Sequence, residues 1–172
     1  MSNIILYDRN IRMCEAWEEY FDYLDVLIKN DYFDNIIADY IVTAGNSYGV
    51  MSGGIDLAVR NYFGQKIQDK IQHELFFHQK RILPVGELLI VETGNITKPY
   101  LVYAPTMEYP QRITSDVIYK VMYKILEECY DKAGTLAICG LGTATGGIEY
   151  GEAAHTMYES YNDYIKTRKR DI

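Results

Sequence analysis

The sequence has few of the residues that mark secreted, metal-stapled or membrane proteins. Its three cysteines are odd in number and widely spaced, which excludes a disulfide framework and a paired-cysteine metal clip. No basic and apolar leader opens the chain, and no window approaches the roughly 18 apolar residues of a membrane-spanning helix. We therefore expect a cytoplasmic protein that has no membrane partner.

Positive charge is also scarce. The chain has 17 Lys and Arg against 24 Asp and Glu, which gives a formal net charge of −7. Non-specific binding to nucleic acid requires clustered basic side chains that neutralise phosphates. The one basic cluster, residues 166–170, falls at the end of a predicted helix, where it complements the helix dipole. The composition therefore argues against a non-specific nucleic-acid binder.

The pattern of apolar residues is typical of an α/β protein. The chain has 172 residues, 48% of them hydrophobic, which suffices for one domain with a sizeable core. Short apolar runs predict strands at residues 4–7, 26–28, 38–44, 87–93, 100–104 and 136–139. Apolar spacings of three and four predict helices at residues 11–24, 55–63, 65–80 and 115–129 and at the C-terminus, with Thr114 or Ser115 as a cap. We predict one domain, residues 1–172, with a largely parallel sheet and helices on both faces.

Two glycine-rich loops follow predicted strands. Residues 45–54, GNSYGVMSGG, lead into a helix that has Asp56 near its start, and residues 140–147, GLGTATGG, precede the last helix. In open α/β sheets, ligands bind beyond the carboxyl ends of the strands. We therefore predict that the two loops meet at one ligand-binding edge.

The second loop has the composition of a phosphate-binding turn. Its glycines allow backbone amides to approach an anion closely, and the helix that follows adds a favourable dipole. It is one residue longer than the dinucleotide pattern GxGxxG, and no strand follows it to supply the acidic residue of that motif. The loop therefore indicates phosphate binding of another kind, with a purely structural tight turn as the alternative.

The first loop and the start of the helix after it carry two polar side chains that could contact or act on a ligand. The amide of Asn46 can both donate and accept hydrogen bonds, as a cis-diol requires. Asp56 either acts on a ligand or caps the helix that it begins, and the sequence leaves both open. The pair His73 and His78 resembles a zinc motif but is one residue too long, so the imidazoles diverge by about 140° around a helix. We expect no metal site.

These residues resemble the macro-domain family. The stretch ADYIVTAGN at residues 38–46, followed by GGID at residues 53–56, is similar to the family's first signature, and LGTATGG at residues 141–147 resembles its phosphate loop. LPVG at residues 83–86 and APTM at residues 104–107 make the likeness closest to a microbial and phage macro-like group. The resemblance implies a three-layer α/β/α sandwich with a mixed sheet that binds ADP-ribose without a cofactor.

The same resemblance implies a set of site residues. Asn46 would hold the distal ribose, Asp56 would act at its reactive carbon, and Asp8 would accept a hydrogen bond from the adenine amino group. The loop residues expected to bind the ligand are Gly45, Ser47, Gly53, Gly54 and Ile55 in the first loop and Gly140, Leu141, Gly142, Thr143, Ala144, Thr145 and Gly146 in the second. The chain departs from the family at Thr43, where an asparagine is usual, and at Ser52, where a third glycine is usual.

Three functions agree with this sequence. The first is hydrolysis of a bond at the distal ribose, by an ADP-ribosyl hydrolase or an ADP-ribose-1″-phosphate phosphatase. The second is a non-catalytic reader of ADP-ribose or a related nucleotide. The third is a virion-associated structural protein on a macro scaffold. The expected partner is ADP-ribose or a related nucleotide, free or attached to a protein or nucleic acid.

Overall fold

The computed structural model describes residues 3–22, 24–78, 81–132 and 134–171, with His78 described by its backbone alone. The strands in these residues are β1 (Asn3–Asp8), β2 (Val26–Asn30), β3 (Tyr40–Asn46), β4 (Leu89–Glu92), β5 (Tyr100–Met107) and β6 (Thr135–Cys139). They form one sheet in the order β2-β1-β6-β3-β5-β4. Neighbouring strands are parallel except β4, which runs antiparallel to β5.

Helices cover both faces of this sheet. They are α1 (Ile11–Phe21), α2 (Gly54–Phe63), α3 (Gln65–His78), α4 (Ser115–Cys129) and α5 (Tyr150–Arg170). Helices α1, α4 and α5 pack against one another on one face, and α2 and α3 pack together on the other. The described residues therefore form the three-layer α/β/α sandwich with a mixed sheet that the sequence predicts.

The central strands are apolar on both sides because helices cover both faces. In β1, residues 4–7 are all buried, and in β6 only the first residue is partly exposed. Helix α1 starts where the Asn10 side chain accepts a hydrogen bond from the Arg12 amide at 3.0 Å. It then buries Met13, Trp17 and Phe21 at the spacing that the sequence shows.

The ends of several helices and strands differ from the predicted ones. Strand β3 begins two residues later than predicted because the amides of Ala38 and Asp39 bond to the Thr97 carbonyl and the Thr135 hydroxyl, outside the ladder. The first helix ends at Phe21, where the chain turns back, and not at residue 24. The predicted strands at 87–93 and 100–104 are Leu89–Glu92 and Tyr100–Met107. The predicted helix at 65–80 ends at His78, and residues 79–80 lie outside the described residues.

Two further findings concern membranes and metals. No helix in the described residues is both long enough and apolar enough to cross a bilayer. In the same part of the chain, no three His, Cys, Asp or Glu side chains are grouped closely enough to hold a metal ion. The side chain of His78, one half of the near-miss zinc motif, lies outside what the structure describes.

Candidate functional site

A cleft of about 340 Å³ opens at the carboxyl ends of the parallel strands. Both glycine-rich loops line it, as do the segments that follow β1, β2 and β5. The predicted site residues on its surface are Asp8, Gly45, Asn46, Gly53, Gly54, Ile55, Asp56, Gly140, Gly142, Thr143, Ala144, Thr145 and Gly146. The structure therefore brings the two loops together at one edge, in a cleft within the size range of small-molecule sites.

Two of the predicted ligand-binding residues lie behind the cleft surface. Leu141 is fully buried in the core. Ser47 is also buried, and its amide bonds to the carbonyls of Met107 and Glu108 while its carbonyl accepts from the Leu83 amide. Both residues anchor the loops to the body of the protein and do not line the cleft.

The start of α2 offers backbone donors to the cleft. Gly53 occupies the cap position without a side-chain acceptor, so no side chain satisfies the first amides of the helix. A Cβ atom at Gly53 or Gly54 would meet nothing within 4 Å, and Gly54 has a φ of +56°. Uncapped amides and open space at a helix N-terminus are the features that favour an anion.

The second loop is held in shape by its own backbone. The carbonyl of Gly142 accepts from the Ile148 amide at 3.0 Å, and that of Gly146 accepts from the Ile113 amide at 3.0 Å. A Cβ at Gly146 would lie 2.6 Å from the Gly142 carbonyl oxygen, so this turn requires glycine. The loop is therefore a preformed turn that faces the start of α2 across the cleft.

Asp56 does not cap its helix. It is 3% exposed, and its carboxyl points into the protein, where it accepts a hydrogen bond from the Thr43 hydroxyl at 2.5 Å. The Tyr103 hydroxyl lies beside the second carboxyl oxygen, since both atoms are within 2.6 Å of the position a Cβ would take at Gly45. Burial raises the pKa of Asp56 to about 7, although the contacts with Thr43 and Tyr103 lower it. Asp56 thus lines the cleft with its carboxyl turned into the protein, and this carboxyl changes charge near neutral pH.

Gly45 makes room for this arrangement. A Cβ atom there would lie 2.4 Å from the Tyr103 hydroxyl oxygen and 2.6 Å from the Asp56 carboxyl. Thr43 lies opposite Tyr103 in the pairing of β3 with β5, so Thr43, Gly45 and Tyr103 share the face of the sheet that α2 covers. The absence of a side chain at residue 45 is therefore a condition for placing Asp56.

This geometry predicts opposite outcomes for two glycine substitutions. Gly45→Ala should destabilise the protein by about 1–3 kcal/mol, because the methyl group would overlap two buried side chains. Gly53→Ala has open space and extended backbone, so its free energy of unfolding should stay within about 0.5 kcal/mol of wild type. Urea denaturation of the two variants checks this, and equal effects would contradict it.

Asn46 uses its side chain to shape the first loop. Its amide nitrogen donates to the Val50 carbonyl at 2.8 Å, and its amide oxygen accepts from the backbone of Tyr48 at 3.0 Å and of Val50 at 3.3 Å. Asn46 lies at a register shift in the pairing of β3 with β5 and lines the cleft. A ligand that bonds to this amide therefore competes with the loop backbone.

Asp8 lies at the opposite end of the cleft. Its carboxyl accepts from the Asn10 amide at 2.8 Å and lies beside the Gly140 backbone, where one of its oxygens is 2.5 Å from the position of a Cβ, so the end of β1 adjoins the second loop. Burial raises its pKa, and the backbone amides of Asn10 and Gly140 lower it. A hydrogen bond from the Asn10 side chain to the Tyr150 hydroxyl, at 2.7 Å, closes this end.

The sequence did not reveal several cleft residues. Tyr32, Phe33 and Asp34 line the cleft at a short 3-10 turn, Phe33–Asn35, that follows β2. The buried Lys98 supports this turn, since its ammonium donates to the Asp34 carbonyl at 3.0 Å and lies 4.2 Å from the Tyr62 ring centre. The sequence signal for these residues was that they follow a parallel strand, because ligands bind beyond the carboxyl ends of such strands.

The fold and the two-loop cleft are those of a macro domain. Residues 42–157 match the macro domain family, so the chain belongs to that family. The sequence is 27% identical over 143 residues to a protein of Aquifex aeolicus, and the aligned region covers 82% of this chain and 83% of the Aquifex protein. It is 30% identical over 120 residues to a protein of Aeropyrum pernix, and the aligned region covers 68% of this chain and 60% of the Aeropyrum protein. Both relatives are described as uncharacterized.

Solved macrodomains share the fold at low sequence identity. The macrodomain of Mycobacterium tuberculosis DarG superposes with a TM-score of 0.69 at 14% identity, covering 78% of this chain and 88% of that one. The Oceanobacillus iheyensis macrodomain with ADP gives 0.61 at 14% identity, covering 83% and 90%. The Trypanosoma brucei macrodomain in complex with ADP gives 0.61 at 18% identity, covering 76% and 52%.

Proposed function

We propose that the cleft binds ADP-ribose and that the protein hydrolyses a bond at the anomeric carbon of the distal ribose. One observation carries the proposal: Asp56, a residue on the wall of a cleft between two glycine-rich loops, has a buried carboxyl that titrates near neutral pH. The adenosine lies at the end that holds Asp8, the diphosphate lies between the loops, and the distal ribose lies near Asn46 and Asp56.

The diphosphate is recognised mainly by backbone amides of the two loops. The uncapped start of α2 and the preformed second loop supply amides from two sides. This recognition is local, so the net charge of −7 slows the approach of an anion without preventing its binding. ADP-ribose therefore fits a chain that has little positive charge.

Crystallised variants of the Oceanobacillus macrodomain support the assignment of three residues. In these variants an asparagine and an aspartate ten positions apart are each changed to alanine, and a glycine three positions before the aspartate is changed to valine with ADP-ribose present. Asn46, Gly53 and Asp56 have the same spacings. We infer that they occupy the corresponding positions.

Asp56 is the residue proposed to drive hydrolysis. In its ionised form it accepts a proton from a water molecule, whose oxygen attacks the anomeric carbon while the bond to the carrier breaks and the leaving group takes its electron pair. The transition state has oxocarbenium character, which a nearby carboxylate also stabilises. Asn46 and the two loops fix the ribose and diphosphate so that the reacting carbon is held in place.

A reader function is the second candidate, and one observation favours it. The Asp56 carboxyl points towards Thr43 and Tyr103, and the Asn46 amide is bonded within its loop, so neither side chain is poised for a ligand. A reader binds ADP-ribose on a protein or nucleic acid and releases it unchanged. The third candidate, a structural protein on a macro scaffold, differs from both because it needs no affinity for the nucleotide.

Calorimetric titration with ADP-ribose, with AMP as the control ligand, tests the proposed ligand. We expect binding near 1 μM, which is about −8 kcal/mol, and much weaker binding of AMP, which lacks the second phosphate and the distal ribose. Asn46→Ala should lose most of this affinity because it removes both the ribose contact and the three bonds that shape the loop. Absence of saturable heat with ADP-ribose would leave only the structural role.

A further inference from the structure

The hydroxyl of Tyr103 lies where three polar groups meet beneath the cleft. It accepts a hydrogen bond from the backbone amide of Asn46 at 3.1 Å and donates one to the backbone carbonyl of Asn46 at 2.8 Å. The Asp56 carboxyl lies beside it, because one carboxyl oxygen and the Tyr103 hydroxyl are 2.6 Å and 2.4 Å from the same Cβ position at Gly45. Tyr103 is fully buried and does not line the cleft, so it cannot touch a ligand there.

A proton count shows that these contacts depend on the charge of Asp56. A phenol has one proton to donate and two lone pairs to accept with. When Asp56 is protonated, its O–H can donate to Tyr103 while the phenol donates to the Asn46 backbone carbonyl, which is the bond that the structure shows. When Asp56 is ionised, it can only accept, so the phenol proton has two acceptors and the charged one forms the stronger bond.

The surroundings leave Tyr103 as the group that responds. The other carboxyl oxygen of Asp56 accepts from Thr43, whose hydroxyl bonds only to Asp56. The titratable groups that face Asp56 from other strands are Tyr7 of β1 and Cys139 of β6, and burial raises the pKa of both, so they are neutral at neutral pH. Within the described residues, Asp56 has no ion pair.

We propose that Tyr103 is a positioning residue that couples the ionisation of Asp56 to the backbone of Asn46 by changing the acceptor of its single proton. The proton that Asp56 loses goes to solvent, and Tyr103 keeps its own. The catalytic meaning of this coupling rests on the proposed hydrolysis, but the coupling itself requires no substrate.

The coupling reaches the ligand-binding loop through Asn46. When the phenol turns to Asp56, the Asn46 backbone carbonyl loses this donor and keeps the longer bond from the Gly49 amide, at 3.4 Å. The side chain of the same residue holds Tyr48 and Val50, so residues 46–50 respond to the loss as a unit. The ionised state needed for hydrolysis is therefore also the state in which the loop is held least tightly.

An NMR titration of the unliganded protein tests this coupling. The ¹³Cγ resonance of Asp56, assigned with the Asp56→Asn variant, gives the midpoint of its ionisation. Tyr103→Phe removes a hydrogen bond to the charged carboxylate, so the midpoint should rise by about 1 pH unit. In wild type, the backbone amide resonance of Asn46 should shift with the same midpoint as Asp56. In Tyr103→Phe, this resonance should no longer follow the ionisation of Asp56.

Two further variants separate coupling from general damage. Tyr7→Phe also removes one buried phenol, whose hydroxyl donates to the Val42 carbonyl at 2.9 Å, and should leave the Asp56 midpoint unchanged. Thr43→Val should raise the midpoint while the Asn46 amide still follows Asp56. The proposal is overturned if Tyr103→Phe behaves like Tyr7→Phe, or if the Asn46 amide does not follow Asp56 in wild type. Either result is independent of turnover, so a failure to hydrolyse ADP-ribose leaves this test intact.

Discussion

Asp56→Asn is expected to reduce kcat by about 10²–10⁴-fold, the usual contribution of a general base. Asparagine has nearly the same shape and can keep the bond from Thr43, but it cannot take a proton from water. Affinity for ADP-ribose should change little. In wild type, kcat should rise with pH and level off above about 7, because hydrolysis needs the ionised carboxyl.

The measurement is release of free ADP-ribose or phosphate from three carriers: an ADP-ribosylated peptide, an ADP-ribosylated oligonucleotide and ADP-ribose 1″-phosphate. Asp69→Asn on the exposed surface of α3 makes the same change of charge and should retain full activity. Turnover by Asp56→Asn at the wild-type rate would remove Asp56 from the reaction. Wild-type binding without turnover of any carrier would favour the reader.

The same substitution should stabilise the protein, and by more at high pH. Asp56 has a pKa of about 7 in the folded chain, against about 3.9 in the unfolded chain. The folded state therefore binds the extra proton, and stability falls as pH rises from about 4 to about 7. The loss approaches 4 kcal/mol above that range, since each pKa unit is worth about 1.4 kcal/mol.

Asp56→Asn cannot ionise and escapes this loss. Its advantage over wild type in free energy of unfolding should be about 2–3 kcal/mol larger near pH 8.5 than near pH 5. Urea denaturation of both proteins at the two pH values gives the difference directly, because the other carboxylates contribute equally to each. An advantage that does not change with pH would mean that Asp56 ionises as readily as in the unfolded chain.

The fold could be predicted from local patterns because the sheet is buried on both faces. Continuous apolar runs marked the central strands, and apolar spacings of three and four marked the helices that cover them. The boundaries of β3 could not be predicted in this way, since side-chain and loop acceptors take the amides of Ala38 and Asp39. Such partners are distant in the sequence and have no local signal.

The parts of the site formed by loop backbone could be predicted from the sequence. The parts formed by side chains from separate strands could not. The two loops were recognised by their glycines, and both line one cleft. The roles of Thr43 and Tyr103 depend on the register of β3 against β5, which pairs them across 60 residues of chain. A polar residue within each apolar strand was the available sign, but it did not indicate that both residues bond to Asp56.

Gly45 and Tyr103 also bear on how this sequence can diverge. A side chain at residue 45 fits only if residue 103 becomes smaller and the Asp56 carboxyl shifts, yet a smaller residue 103 removes the hydroxyl that bonds to the Asn46 backbone beside Asp56. Neither substitution is neutral alone, so drift at either position must pass through a less fit intermediate. The two sites form an epistatic pair, and lineages that depart from this pair should change both positions together.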